Sequence, residues 1–122
     1  MQRDTKQRQA IRKAFTDADR PLGPTEVLDL AGEHVDGLGQ ATVYRAIKAF
    51  VDEGWLVPVE LPGEPARYEL SDKGHHHHFR CRTCGSVFDL VGCVKGLEKL
   101  LPKGFKLEDH EILLYGLCDN CA

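Results

Sequence analysis

Two cysteine pairs and a run of histidines carry most of the chemistry legible in this chain. Cys81-Arg82-Thr83-Cys84 and Cys118-Asp119-Asn120-Cys121 are both CxxC pairs. Each such knuckle presents two thiolates on one tight turn, and two knuckles complete a tetrahedral four-sulfur site suited to zinc. Protein would fill all four positions, which makes the site structural rather than catalytic. Gly85, directly after Cys84, suits a knuckle turn. The main alternative is a redox CxxC, but a thioredoxin-like centre uses one pair beside a βαβ pattern, and here there are two pairs.

Ahead of the first knuckle stands His75-His76-His77-His78. An expression tag is the plain alternative, but this tract is internal, short and followed at once by Phe79 and the knuckle. On a strand, successive side chains point to opposite faces. His75 and His77 would then face one way and His76 and His78 the other, so one tetrad can feed two metal sites.

The elements that must position these groups follow from composition and periodicity. A chain of 122 residues forms one ordinary domain or two small ones, and a half of that size has little core of its own. Apolar residues at 42% and charged residues at 29% exclude disordered and fibrous classes. No apolar run reaches the ~18 residues of a membrane span. The polar opening MQRDTKQRQAIRK does not read as a signal peptide, which predicts a cytoplasmic protein whose five cysteines are reduced and available to metal.

Apolar spacing predicts a helix over Thr5 to Phe15 with Thr5 as N-cap, on Ala10, Ile11, Ala14 and Phe15. After the breaks at Pro21, Gly23 and Pro24, a second helix starts at Thr25, burying Val27, Leu28, Leu30 and Ala31 and ending near Gly32. A third is predicted from Gln40 to Glu53, with Val43, Ile47, Phe50 and Val51 on one stripe and Gly54 at its end. Trp55 to Leu61 and Ala66 to Leu70 then alternate as strands about Pro62, Gly63 and Glu64, a β-hairpin wing. Farther on, Leu97, Leu100 and Leu101 predict the buried face of a short helix ended by Pro102 and Gly104. Leu107 to Leu117 predicts an edge or interface strand, with Ile112, Leu114 and Tyr115 at a dimer contact.

Three short helices and a wing suit a helix-turn-helix, and Ala41-Thr42-Val43-Tyr44-Arg45 opens the helix that would enter the major groove. There Tyr44 can pack on a thymine methyl, and Arg45 can pair with guanine or hold a phosphate. For an isolated helix the alternative is a partly buried Tyr44 and an ion-paired Arg45. The net charge of −3 argues mildly against nucleic acid, yet Arg3, Lys6, Arg8, Arg12 and Lys13 gather at the N-terminal end against Asp4 alone.

ATVYR, YEL, HHHHFRCRTCG, VFDL and HEILLYGLCDNC together span nearly the whole chain and resemble the ferric uptake regulator family. The resemblance implies an α+β fold: a winged-helix DNA-binding domain over residues 1–72 and a small α/β dimerisation domain over 73–122 with the structural zinc on Cys81, Cys84, Cys118 and Cys121. It implies a hinge sensor site of Glu69, His76, His78 and Asp89. A second site would use His75, His77 and His110. The remaining ligand there is commonly a glutamate after VFDL, and counting back from Gly104 places Cys93 at that position. The alternative for Cys93 is a small buried apolar side chain. DNA contacts fall to Arg3, Thr42, Tyr44 and Arg45.

Two departures bear on the metal. Iron and peroxide sensors of this family commonly supply a sensor histidine where this chain has Pro21, and zinc sensors often place a cysteine just before the His tract, where Ser71 and its neighbours offer none. Three imidazoles and the Cys93 thiolate suit zinc, which is therefore favoured over ferrous or manganous ion as the second, regulatory metal. The expected protein is a cytoplasmic, homodimeric, metal-responsive repressor on a palindromic operator, with no membrane, no small organic substrate and no enzymatic activity. A metal-storage protein or metallochaperone would leave the recognition helix idle. A zinc hydrolase would need an open coordination position and a general base in a pocket.

Overall fold

The computed structural model describes residues 5–122, which divide after Lys73 into two compact units. The first holds three helices, α1 (Lys6–Ala18), α2 (Pro24–Gly32) and α3 (Gln40–Asp52), and a hairpin of β1 (Leu56–Leu61) and β2 (Glu64–Leu70). Thr5 caps α1 as its composition predicts, its Oγ1 accepting from the Arg8 N–H at 3.2 Å. Helix α1 runs one turn beyond the predicted Phe15 and stops at Asp19, which takes the left-handed conformation at φ 49°. Pro24 opens α2, where the missing N–H costs nothing.

Ile11, Phe15, Leu22, Val27, Ala31, Val43, Ile47, Phe50 and Leu56 make the buried core of this unit. Leu28 and Leu30, expected to be buried, only pack against its margin, because α2 is nine residues long and its buried face is narrow. Trp55 meets Phe15 and Phe50 edge-on and belongs to the same core. The wing is antiparallel and turns at Pro62 and Gly63, where Gly63 adopts φ 73°. Strand β2 begins earlier than predicted and carries Pro65, tolerated on a two-stranded ribbon whose outer edge needs no N–H. Leu22 bridges to Tyr68 by two backbone hydrogen bonds of 2.8 and 2.9 Å, and Arg67 reaches Glu26 at 3.3 Å, so the segment before α2 is fastened to the wing.

The second unit is a three-stranded sheet in the order β4-β3-β5, from β3 (His77–Cys81), β4 (Val87–Leu90) and β5 (Leu113–Gly116). β4 is antiparallel to β3 and β5 parallel to it. Two expectations need correcting here. The helix assigned around Leu97 to Leu101 is one 3-10 turn, Leu97–Leu100, with no buried residue, and Leu100 is 81% exposed. A four-residue turn presents no continuous face to a sheet. The strand expected over Leu107 to Leu117 is ordered as β only over Leu113–Gly116, where β3 supplies hydrogen-bond partners. Among the described residues no helix is long and apolar enough to cross a membrane.

Candidate metal centres and DNA-reading helix

The parallel pairing of β3 with β5 explains the sulfur cluster. Cys81 lies opposite Gly116, so both knuckles leave the sheet at the same end, joined by the Arg82 N–H donating to the Gly116 carbonyl at 2.8 Å. Gly85, at φ 77°, closes the first knuckle through its N–H to the Cys81 carbonyl at 3.0 Å. The Cys118 knuckle closes likewise through Cys121 and Ala122. The four Sγ atoms of Cys81, Cys84, Cys118 and Cys121 lie within 4.8 Å of one another, and no disulfide joins them. Cys84 and Cys118 are 3.8 Å apart, matching the edge of a tetrahedron with ~2.3 Å zinc–sulfur bonds.

The sulfur electrostatics also fit a cation. N–H groups of Cys118 and Cys84 point at the Cys81 sulfur at 3.4 and 3.5 Å and bring its thiol down to about 6. The Ser86 hydroxyl and N–H lower Cys84, whereas the thiols of Cys118 and Cys81 push Cys121 up to about 12. Neighbouring thiolates cannot all ionise unless a cation lies among them. The donor set therefore fits a zinc ion.

The His tract divides into the two expected groups, although β3 begins only at His77 and His75 and His76 precede it. The rings of His75 and His77 lie 4.7 Å apart, each 5.0 Å from the ring of His110. Cys93 completes this group: its Sγ lies 3.0 Å from His110 Nε2 and 3.3 Å from His77 Nε2. Cys93 is exposed, which excludes the small buried side chain considered for it. His77, 4% exposed, is held below the ordinary imidazole range by burial and then by the neighbouring His75 and His110, favouring the neutral ring that can ligate a metal.

The rings of His76 and His78 pair at 4.8 Å. His78 stands opposite Asp89 across β3 and β4. His76 Nε2 approaches Asp89 Oδ1 at 3.2 Å, and His78 Nε2 approaches the same oxygen at 3.4 Å. The Gly74 carbonyl accepts from His76 Nδ1 at 2.8 Å, which leaves the Nε2 lone pair facing the carboxylate. Only a proton or a metal cation reconciles those groups, so they fit a divalent ion. Glu69 lies in the first unit on β2, 2% exposed, with Lys73 Nζ 3.5 Å from its Oε1.

On α3 the core takes Val43, Ala46, Ile47 and Phe50, leaving Tyr44 53% exposed and Arg45 on the outer face beside Thr42, whose Oγ1 accepts from Arg45 Nη2 at 3.3 Å. Tyr44 is thus not core and Arg45 is held by a hydroxyl rather than an acid. Arg3 lies outside the described residues. His34 is exposed near the turn before α3, in keeping with its sequence position. The Glu26 carboxylate bridging Arg20 and Arg67 had no sequence signal beyond its place in the first turn of α2, since the two arginines come from either side of it.

The model of the ferric uptake regulator family matches residues 2–115. The chain is 39% identical over 97 residues, 75% of its own length and 68% of the relative's, to the ferric uptake regulation protein of Bordetella parapertussis. Its fold is similar to a zinc-bound manganese uptake regulator at TM-score 0.80, with 27% identity over 96% of this chain and 91% of that one. It is also similar to the iron-bound ferric uptake regulator of Francisella tularensis at TM-score 0.71, with 27% identity, 98% of this chain and 94% of that one. The chain belongs to the ferric uptake regulator family, whose members are transcriptional regulators rather than enzymes.

Proposed function

We propose that this chain is a cytoplasmic, metal-responsive repressor that controls genes of metal uptake or homeostasis, binding a palindromic operator as a homodimer. A zinc ion would be held by Cys81, Cys84, Cys118 and Cys121 and would staple a sheet too small to be stable alone. Glu69, His76, His78 and Asp89 would form the regulatory site, and His75, His77, Cys93 and His110 a second one. The observation that carries this reading is the convergence of His76 and His78 on one oxygen of Asp89.

A divalent cation held by Glu69, His76, His78 and Asp89 would supply the positive charge that two imidazoles and two carboxylates need. With Glu69 on the wing strand as one of its ligands, such a cation would limit the angles at which α3 is presented. Two recognition helices held about 34 Å apart match successive major grooves on one face of DNA. If the closed arrangement binds the cation about 100-fold better than the open ones, the coupling is roughly 2.7 kcal/mol, enough to switch a promoter. In that arrangement Tyr44 and Arg45 read bases, Thr42 orients Arg45, and Arg3 adds a phosphate contact. The exposed edge strand β5, with Leu114 and Tyr115, is the proposed dimer seam.

Zinc is the favoured ion at the second site. The support is the Cys93 thiolate beside the imidazoles of His75, His77 and His110, a borderline-soft set that ferrous and manganous ions match less well. The test is operator binding by fluorescence anisotropy with tag-free protein, at saturating zinc, manganese and ferrous ion and without metal. Metal-dependent retention of a palindromic duplex supports the repressor. Metal binding with no sequence-specific retention would make the chain a metal store instead.

A further inference from the structure

A lysine three residues beyond the end of β2 lies against Glu69. Lys73 Nζ lies 3.5 Å from Glu69 Oε1 and 3.2 Å from Asp19 Oδ1, and its side chain is only 14% exposed. We propose that Lys73 is a resident cation on Glu69 that competes with the regulatory metal, and so sets the metal concentration at which that site fills. The inference rests on the reading of Glu69 as a metal ligand.

Three features make this a built arrangement rather than a passing surface pair. The turn that brings Lys73 back over Glu69 is pinned at Ser71, whose N–H donates to the Trp55 carbonyl at 3.1 Å and whose hydroxyl donates to the Gly54 carbonyl at 2.6 Å. Glu69 is buried, and a buried carboxylate stays ionised only beside a positive partner. Asp19 gives the ammonium a second seat. Asp19 sits at the C-cap of α1 in the left-handed conformation, where a carboxylate faces the negative end of the helix dipole, and the last turn of α1 carries no basic residue of its own. Lys73 supplies that missing charge.

The second seat matters for exchange. When Glu69 turns to a metal, Lys73 keeps Asp19 and is not driven into an uncompensated position. When metal is scarce, Lys73 returns and Glu69 stays neutralised. The protein thereby avoids a buried naked charge in either state, and the stability of the Lys73–Glu69 pair is subtracted from the metal's affinity.

The experiment is a double-mutant cycle on full-length protein, titrating zinc ion against a chromophoric chelator, with thermal melting of the same proteins after weakly held metal is removed. Lys73→Gln is expected to tighten zinc at the regulatory site on the order of tenfold, the scale of one partly screened charged hydrogen bond. It should also lower the metal-free melting temperature and enlarge the rise on adding zinc. In a Glu69→Gln background the Lys73 substitution is expected to change zinc affinity no further. Lys73→Arg keeps the charge, so it guards against a folding failure of Lys73→Gln, and it should hold zinc affinity at or below that of the unaltered protein because guanidinium grips a carboxylate better. Unchanged or weaker zinc binding by Lys73→Gln, the same gain in both backgrounds, or a gain for Lys73→Arg would each overturn the proposal. The ligand reading fails separately, if Glu69→Gln alone leaves zinc affinity intact.

Discussion

His77 and His78 are neighbours in sequence and belong to different clusters: His77 Nε2 lies 3.3 Å from Cys93 Sγ, and His78 Nε2 lies 3.4 Å from Asp89 Oδ1. The alternation of β3 separates them, and their variants should therefore differ. His76→Ala or His78→Ala is expected to remove one metal per subunit and abolish metal-dependent operator binding, with the sulfur-bound zinc retained. His77→Ala should empty the other cluster and reduce operator affinity only by degree. Metal stoichiometry paired with operator titration checks this, and indistinguishable variants would refute two separate sites.

Cys93→Ser should resemble His77→Ala in stoichiometry while shifting that cluster's preference away from zinc, because a hydroxyl is a poorer zinc ligand than a thiolate. With cobalt as a spectroscopic probe, the sulfur-to-metal charge-transfer band contributed by Cys93 should disappear. A band of undiminished intensity would place all of the sulfur ligation at the four-cysteine cluster.

Cys81→Ser removes the sulfur that accepts from both the Cys118 and Cys84 N–H groups. Zinc, dimerisation and the folded state of the β3–β5 pair should be lost together, since the two knuckles hang from that pairing. Mass spectrometry under native conditions reads all three, and a zinc-free dimer would contradict the assignment.

Arg45→Ala is expected to cost about 1–3 kcal/mol of operator binding and to relax base preference, whereas Arg3→Ala should weaken all sequences alike and flatten the salt dependence. Affinity for matched and scrambled duplexes across a salt series separates the two effects. Normal operator affinity in the Arg45 variant would move the reading surface elsewhere.

Glu26→Ala breaks contacts with Arg20 at 3.0 Å, Arg67 at 3.3 Å and the Gly23 N–H at 3.2 Å. These groups are partly exposed, so the expected loss is about 1–2 kcal/mol, seen as a lower denaturation midpoint of the first unit. A Glu26→Gln variant should recover part of it through the Gly23 contact.

The three helices, the wing, the two cysteine knuckles and the two-sided His tract were all legible in the amino-acid sequence. Each of these is a local pattern: helical spacing at Val43, Ile47 and Phe50, a turn at Pro62 and Gly63, a CxxC loop, a period of two at His75 to His78. What lies between Asp89 and Ile112 was not legible in the same way. Its leucines keep a helical spacing, yet Leu100 is exposed and a single 3-10 turn forms, because four residues bury too little to stabilise a helix. The grouping of the four cysteines, and of Cys93 with His110, could be read from the sequence; the means could not, since it is the parallel pairing of β5 with β3 that puts Cys118 beside Cys81, and the path of the chain after β4 that brings Cys93 within 3.0 Å of His110. Strand pairing and loop closure between distant residues depend on the sum of contacts across the sheet, and no local spacing encodes that sum. The same holds for Lys73, whose place between Glu69 and Asp19 depends on where α1 ends relative to the end of β2.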